Sequence, residues 1–265
     1  MTKKPIIIAL CGKGGVGKTS LSALITRMLC QDGARRVLAI DADPAVGLSY
    51  PLGITVRKTV DHIRNDLIRT LGTGEKKDKS DLLRQLDYEM FSALEEKQNL
   101  AFLAIGRPEG DGCYCQVNQL LRDLIKEIAG QFDVVVIDGE AGLEQINRRV
   151  MDMVTHLLIV TDASLKGRNV AQSIYDLSGN LGAFEKAGVI FNKIRDTHEK
   201  EAILSKNALP LVHLMNENEM IRDFDREGRS FFELSEAMDF NRLEQAVSRF
   251  IAECPITVKK TMGTP

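Results

Sequence analysis

The sequence predicts an α/β protein in which a mostly parallel sheet is covered by helices on both faces. Three observations lead there. Short aliphatic runs alternate with amphipathic stretches along the chain, a glycine-rich loop joins the first such run to the first helical stretch, and several runs end in a polar or acidic residue. Strands that are apolar on both sides belong to sheets buried on both sides, which are typically parallel. In such sheets ligands bind beyond the carboxyl ends of the strands.

The first strand, Ile6 to Leu10, runs into Gly12-Lys13-Gly14-Gly15-Val16-Gly17-Lys18-Thr19-Ser20, and the spacing of Leu21 to Leu29 predicts a helix. Gly12 to Thr19 fits G-x-x-x-x-G-K-[ST] in full. Small residues let successive backbone N–H groups point at a phosphate, while the new helix turns its positive end to the same anion. Lys18 then reaches the β- and γ-phosphates of ATP, and Thr19 offers its hydroxyl to Mg²⁺. A glycine turn that merely reverses the chain is the alternative, and the strand-loop-helix context argues against it. These residues predict a phosphate-loop (P-loop) NTPase three-layer sandwich, with ATP or ADP as the expected ligand. Lys13 follows the first glycine and crowds Lys18 unless it faces further negative charge. A nucleotide shared across a dimer interface supplies such charge; a solvated surface lysine is the alternative.

The second strand, Arg36 to Ile40, ends in Asp41-Ala42-Asp43-Pro44. Two carboxylates at i and i+2 of a strand end can lie near a Mg²⁺-nucleotide, or can cap the segment that follows. Residues 56–98 read as a helical insertion, with Asp81 to Lys97 as one helix and the charged run Gly72 to Lys79 as a solvated loop. The strand Leu100 to Ala104 opens into the loop 107–115, and Gln116 to Ala129 has a helical pattern. Val134 to Ile137 then delivers Asp138 to the Mg²⁺ shell, and the glycines after it let the backbone sense a γ-phosphate.

His156 to Val160, a helix at Leu165 to Leu181, and the strands Gly188 to Phe191 and Leu209 to His213 complete the alternation. Asn192 ends the third of these. Its amide can donate to and accept from an adenine edge, or can serve a turn. Residues 1–254 thus form one ATPase domain, followed by a tail at 255–265.

The loop Arg107-Pro108-Glu109-Gly110-Asp111-Gly112-Cys113-Tyr114-Cys115 sets this chain apart. Two thiols one residue apart cannot fill a tetrahedral or square-planar shell, but two copies of the pair can. If Lys13 marks a nucleotide-bridged homodimer, the symmetry axis brings Cys113 and Cys115 of both subunits around one ion. A buried structural pair and a labile local disulfide are the alternatives. Thiolates accept Ni²⁺ and Zn²⁺ alike. Cys11, Cys30 and Cys254, and the four histidines, show no metal-ligand spacing and read as plain structural residues.

A formal charge of −2 over 265 residues leaves no basic footprint for nucleic acid, and no apolar run reaches membrane-spanning length. Five cysteines, an odd number, argue against a secreted disulfide framework. A cytoplasmic protein without stable membrane association is expected.

The motifs Lys13 to Thr19, Asp41 to Pro44, Gly112 to Cys115 and Glu140-Ala141-Gly142-Leu143-Glu144 resemble those of CooC-type nickel-insertion ATPases. These belong to the deviant P-loop class that also holds MinD, ParA and nitrogenase iron protein (the SIMIBI class). The resemblance covers nearly the whole chain. It implies that Lys13 contacts the partner's nucleotide, that Asp43 in switch I positions the attacking water, and that Asp41 stands behind the metal. It further implies that Gly139 to Gly142 form switch II, that Asn192 reads the base, and that residues 210–226 finish the adenine pocket. The implied cycle carries Ni²⁺ to carbon monoxide dehydrogenase or acetyl-CoA synthase. A MinD/ParA-like positioning ATPase and an iron–sulfur cluster carrier or reductase are the alternative functions. The reductase pattern takes a cysteine from switch II, and Asp138 to Asn147 contains none.

Overall fold

The computed structural model describes residues 4–31, 33–72, 79–107, 115–141, 150–181, 184–235 and 238–252. Strands β1 (Ile6–Gly12), β2 (Val37–Asp41), β3 (Glu95–Lys97), β4 (Leu100–Ala104), β5 (Val134–Ala141), β6 (His156–Thr161), β7 (Lys186–Ile194) and β8 (Leu211–Asn216) form one sheet in the order β3-β4-β2-β5-β1-β6-β7-β8. All neighbours are parallel except β3 and β4. The helices are α1 (Lys18–Cys30), α2 (Ser49–Leu52), α3 (Val60–Gly72), α4 (Lys79–Ser92), α5 (Cys115–Ala129), α6 (Leu165–Leu181), α7 (Thr197–Lys206), α8 (Glu219–Glu227) and α9 (Met238–Ala252).

Alternation along the strands divides the core in two, because successive side chains point to opposite faces of a sheet. In β1, Ile7, Ala9 and Cys11 join Leu38, Ile40, Val135 and Ile137 in one cluster, packed under residues of α3, α4, α5, α6 and α7. Ile8 and Leu10 join Val37, Ala39, Val134 and Val136 in the other, packed under α1 and α9. This is the three-layer arrangement expected from the sequence. Cys11 and Cys30 are buried in these clusters, and burial pushes the Cys11 thiol up to about 12, consistent with a plain core residue.

The expectation for 81–97 needs correction. α4 ends at Ser92, and Glu95–Lys97 folds back as β3, an antiparallel edge strand paired with β4. Leu86, Met90 and Ala93 keep a helical period, so the apolar signal runs through the helix and then stops. Glu95-Glu96-Lys97 has no apolar alternation to announce a strand; Glu95 is held by Arg57, whose N–H donates to it and whose guanidinium lies 3.3 Å away. Residues 73–78 of the expected charged loop, and the tail 255–265, lie outside the described residues. Among the described residues no helix is long and apolar enough to cross a membrane.

Candidate nucleotide site

Register aligns the strand ends. Asp41 of β2 lies opposite Asp138 of β5, Leu10 opposite Asp138, and Gly12 opposite both Ala141 and Val160. Residues far apart in sequence therefore share one end of the sheet, with β1 and its loop at the centre.

Gly12 leaves the strand at φ 144, and a side chain there would collide with the Val160 carbonyl. Gly17 adopts φ 91 at the start of α1, and a Cβ there would stand 2.5 Å from the Asn192 amide nitrogen. Both glycines of the motif are thus required by backbone conformation and by close approach. No side chain caps α1, so its first N–H groups remain available to an anion. Lys18 Nζ donates to the Lys13 carbonyl at 3.2 Å.

Lys13 has a partner that the sequence reading did not name. Its ammonium lies 3.1 Å from Asp162 Oδ2, just past β6. Negative charge for Lys13 therefore comes from its own chain here, whereas the sequence reading looked for it across a dimer. Burial raises the Asp162 pKa, but hydrogen bonds from Ser164 and Lys13 outweigh it and hold the carboxyl below its ordinary value. An aspartate following the strand His156 to Val160 is the same signal that marked Asp138, and reading it the same way would have found this residue.

Asp138 is buried and accepts from Thr19 Oγ1 at 2.7 Å and Ser22 Oγ at 3.0 Å. Ser22 was also missed, although a position three residues after Thr19 on a helix faces the same way. Burial raises the Asp138 pKa to about 6, against the opposing hydrogen bonds from Thr19 and Ser22. A hydroxyl and a carboxylate side by side are hard oxygen donors, which fit Mg²⁺ held jointly with substrate phosphates. Residues Thr19 and Asp138 would hold that ion.

Asp41 is fully buried, and its two oxygens accept from the Asp43 N–H at 3.0 Å and the Leu48 N–H at 2.8 Å. With both oxygens engaged by backbone N–H groups, Asp41 organises the loop 43–48. Burial, then the charge of Asp138, raise its pKa to about 7. Asp43 accepts from the Ala45 N–H at 2.9 Å, so capping occurs at both aspartates. Its charge also raises the pKa of Asp41 and Asp138, which places it beside them at the same strand end. In the same loop Val46 sits at φ 52, a left-handed conformation uncommon for a β-branched residue.

On the other side of β1, Asn192 Nδ2 donates to the Val16 carbonyl at 2.9 Å. Gly17, Ser20, Leu24, Asn192, Glu217 and Ile221 line a cavity between α1, β7 and α8. Asn192 and part of the segment 210–226 thus line one cavity. Asn218 also caps α8, accepting from the Ile221 N–H at 3.2 Å.

Two expected features fall largely outside this description. Cys113 lies outside the described residues, and of Cys115 only its backbone position at the start of α5 is described. Gly142 is likewise outside, while Gly139 to Ala141 continue β5. Among the described residues no group of three or more His, Cys, Asp or Glu side chains is arranged to hold a metal ion.

Comparison with known proteins agrees with this geometry. A family profile described as an AAA domain (AAA_31) matches residues 4–181. An uncharacterised ATP-binding protein of Methanocaldococcus jannaschii is 34% identical over 93% of this chain and 98% of its own length. The carbon monoxide dehydrogenase accessory protein CooC of Rhodospirillum rubrum is 28% identical over 87% of this chain and 90% of its own. The septum site-determining protein MinD of Pyrococcus horikoshii, solved with Mg-ADP, superposes with a TM-score of 0.67 at 21% identity, covering 94% of this chain and 98% of that one. With its phosphate loop, its aligned carboxylates and this match, the chain belongs to the AAA_31 family and is an ATPase built on the MinD/ParA-type fold.

Proposed function

We propose that this ATPase is a metal carrier that holds Ni²⁺ between two subunits and delivers it to carbon monoxide dehydrogenase or acetyl-CoA synthase. The observation that carries the reading is the Cys113-Tyr114-Cys115 segment, which follows β4 in the chain and whose last residue begins α5. β4 runs parallel to β2, with Ala104 opposite Asp41, so the chain enters that loop at the phosphate end of the sheet. Similarity to CooC over most of the chain supports it.

In this reading Lys18 offsets phosphate charge, and Asp43 orients and deprotonates the attacking water. Thr19 and Asp138 would hold Mg²⁺, which would supply positive charge against the negative charge that develops during transfer. ATP draws two copies together, and Lys13 exchanges Asp162 for the nucleotide of the partner subunit. Cys113 and Cys115 of both copies then supply four thiolates to Ni²⁺, with Zn²⁺ as a competitor. Nucleotide affects metal affinity only by changing the distance between the two loops. The protein works in the cytoplasm, where thiols stay reduced.

Titration of reduced, metal-free protein with Ni²⁺ tests this, followed by charge-transfer absorption and light scattering, beside Cys113→Ser/Cys115→Ser. One nickel per two chains, lost in the variant, is expected. Equal binding without the cysteines sinks the reading. A positioning ATPase is the second reading, favoured by the structural likeness to MinD, and it predicts no nickel site.

A further inference from the structure

The phosphate loop is held from outside by two consecutive residues of one strand end. Asn192 donates to the Val16 carbonyl at 2.9 Å, and Lys193 Nζ donates to the Gly15 carbonyl at 2.8 Å. Lys193 reaches that position through a costly backbone. It has φ 60, which non-glycine residues rarely adopt, and the pairing of β7 with β8 slips between Phe191 and Ile194 at this point. A strained residue at a site calls for a reason in function.

The reason lies in the planarity of the peptide. C=O and N–H of one trans peptide point in opposite directions. Holding the Gly15 carbonyl toward Lys193 turns the Val16 N–H away from Lys193, and holding the Val16 carbonyl toward Asn192 turns the Gly17 N–H away from Asn192. Convergent N–H groups of this kind make an anion nest. Gly15 and Gly17 have φ 79 and φ 91, so this stretch has the wide conformational freedom of glycine and needs an external hold to stay in one shape. Lys193 also lines the cavity next to Asn192, and its Cε stands 3.7 Å from where a Gly17 Cβ would be. One side chain therefore touches both the base pocket and the phosphate loop.

We propose that Lys193 is a positioning residue that sets the phosphate loop in its anion-binding shape, so that the end of β7 serves phosphate recognition as well as the base. The proposal rests on ATP binding at this site and not on metal delivery; its failure leaves the nickel reading untouched.

Lys193→Met keeps the aliphatic stem and removes the donor, and Lys193→Arg restores a donor. Calorimetric titrations with Mg-ATP and with inorganic tripolyphosphate, which has no base, separate the possible roles, and the melting temperature without ligand monitors the fold. The Met variant is expected to lose about three- to tenfold in affinity for both ligands, the size of one hydrogen bond to a charged donor partly exposed to water. The Arg variant should recover most of that loss, with the ligand-free melting temperature little changed. Weakened ATP binding with unchanged tripolyphosphate binding would overturn the proposal, since the lysine would then serve only the base. So would unchanged affinity for both, or a loss that Arg fails to restore and that follows a lower melting temperature.

Discussion

The two flanks of β1 do different work. Toward β5 and β2 the strand ends deliver Asp138, Asp41 and Asp43, of which the first two are buried and have raised pKa values. Toward β6 and β7 they deliver Asp162, Asn192 and Lys193, each bonded to the phosphate loop itself. One flank gathers negative charge whose cost a divalent cation can offset; the other shapes the loop that lies between. The lesson is that chemistry and shape are supplied from opposite sides of a single central strand.

Changes on the carboxylate flank should have the largest effect. Asp138→Ala removes the acceptor of both Thr19 and Ser22 and is expected to lower ATP turnover by about a hundredfold or more, as for the loss of a principal electrostatic group. Phosphate release measures it, and turnover near the parent value would remove Asp138 from the site.

On the shaping flank, Gly17→Ala adds a Cβ 2.5 Å from the Asn192 amide at φ 91. Nucleotide affinity should fall by about tenfold or more, because both the strain and the displaced amide act on the loop. Calorimetry with Mg-ATP checks this, and an unchanged affinity would show that the loop adapts freely.

A pH series distinguishes the flanks without mutation. Asp41 and Asp138 have folded-state pKa values near 7 and 6, above the ordinary 3.8. The folded state then holds these protons more tightly than the unfolded state, so their contribution to stability is greatest at low pH. It declines as pH rises from about 4 through 7. Metal-free protein should melt higher at pH 5.5 than at pH 8, with Mg-ATP reducing the difference because the cation favours the ionised carboxylates. A melting temperature that rises steadily toward pH 8 would contradict the buried-carboxylate assignment.

Ser22→Ala should have the smallest effect. It removes one of two hydroxyl donors to Asp138, and about 1 kcal/mol of stability is expected to go with it, with turnover reduced only a few-fold. Chemical denaturation gives the first quantity and phosphate release the second. A loss as great as that of Asp138→Ala would make Ser22 an equal partner.

Much of this site was legible from residue order because its chemistry is local. Gly12 to Thr19 is a contiguous motif, and Asp41, Asp138 and Asn192 each end an aliphatic run, so strand periodicity pointed to all of them. Lys13 was legible as unusual, but not as the partner of Asp162, which lies 149 residues away. Lys193 was passed over because a lysine after a strand ordinarily points to solvent. β3 was missed because Glu95-Glu96-Lys97 has no strand period, and its place comes from the hairpin with β4.

By itself, then, the sequence determined the α/β class, the phosphate loop and the set of strand-end residues. These follow from the period of apolar residues and from glycines that nothing else replaces. Only the tertiary structure decided which strand ends meet. Parallel pairing in the order β2-β5-β1-β6-β7 places Asp138 on one side of the loop and Asn192 and Lys193 on the other. That order is set by how whole helices and strands pack across the sheet, a long-range cooperative outcome that no local window of residues contains.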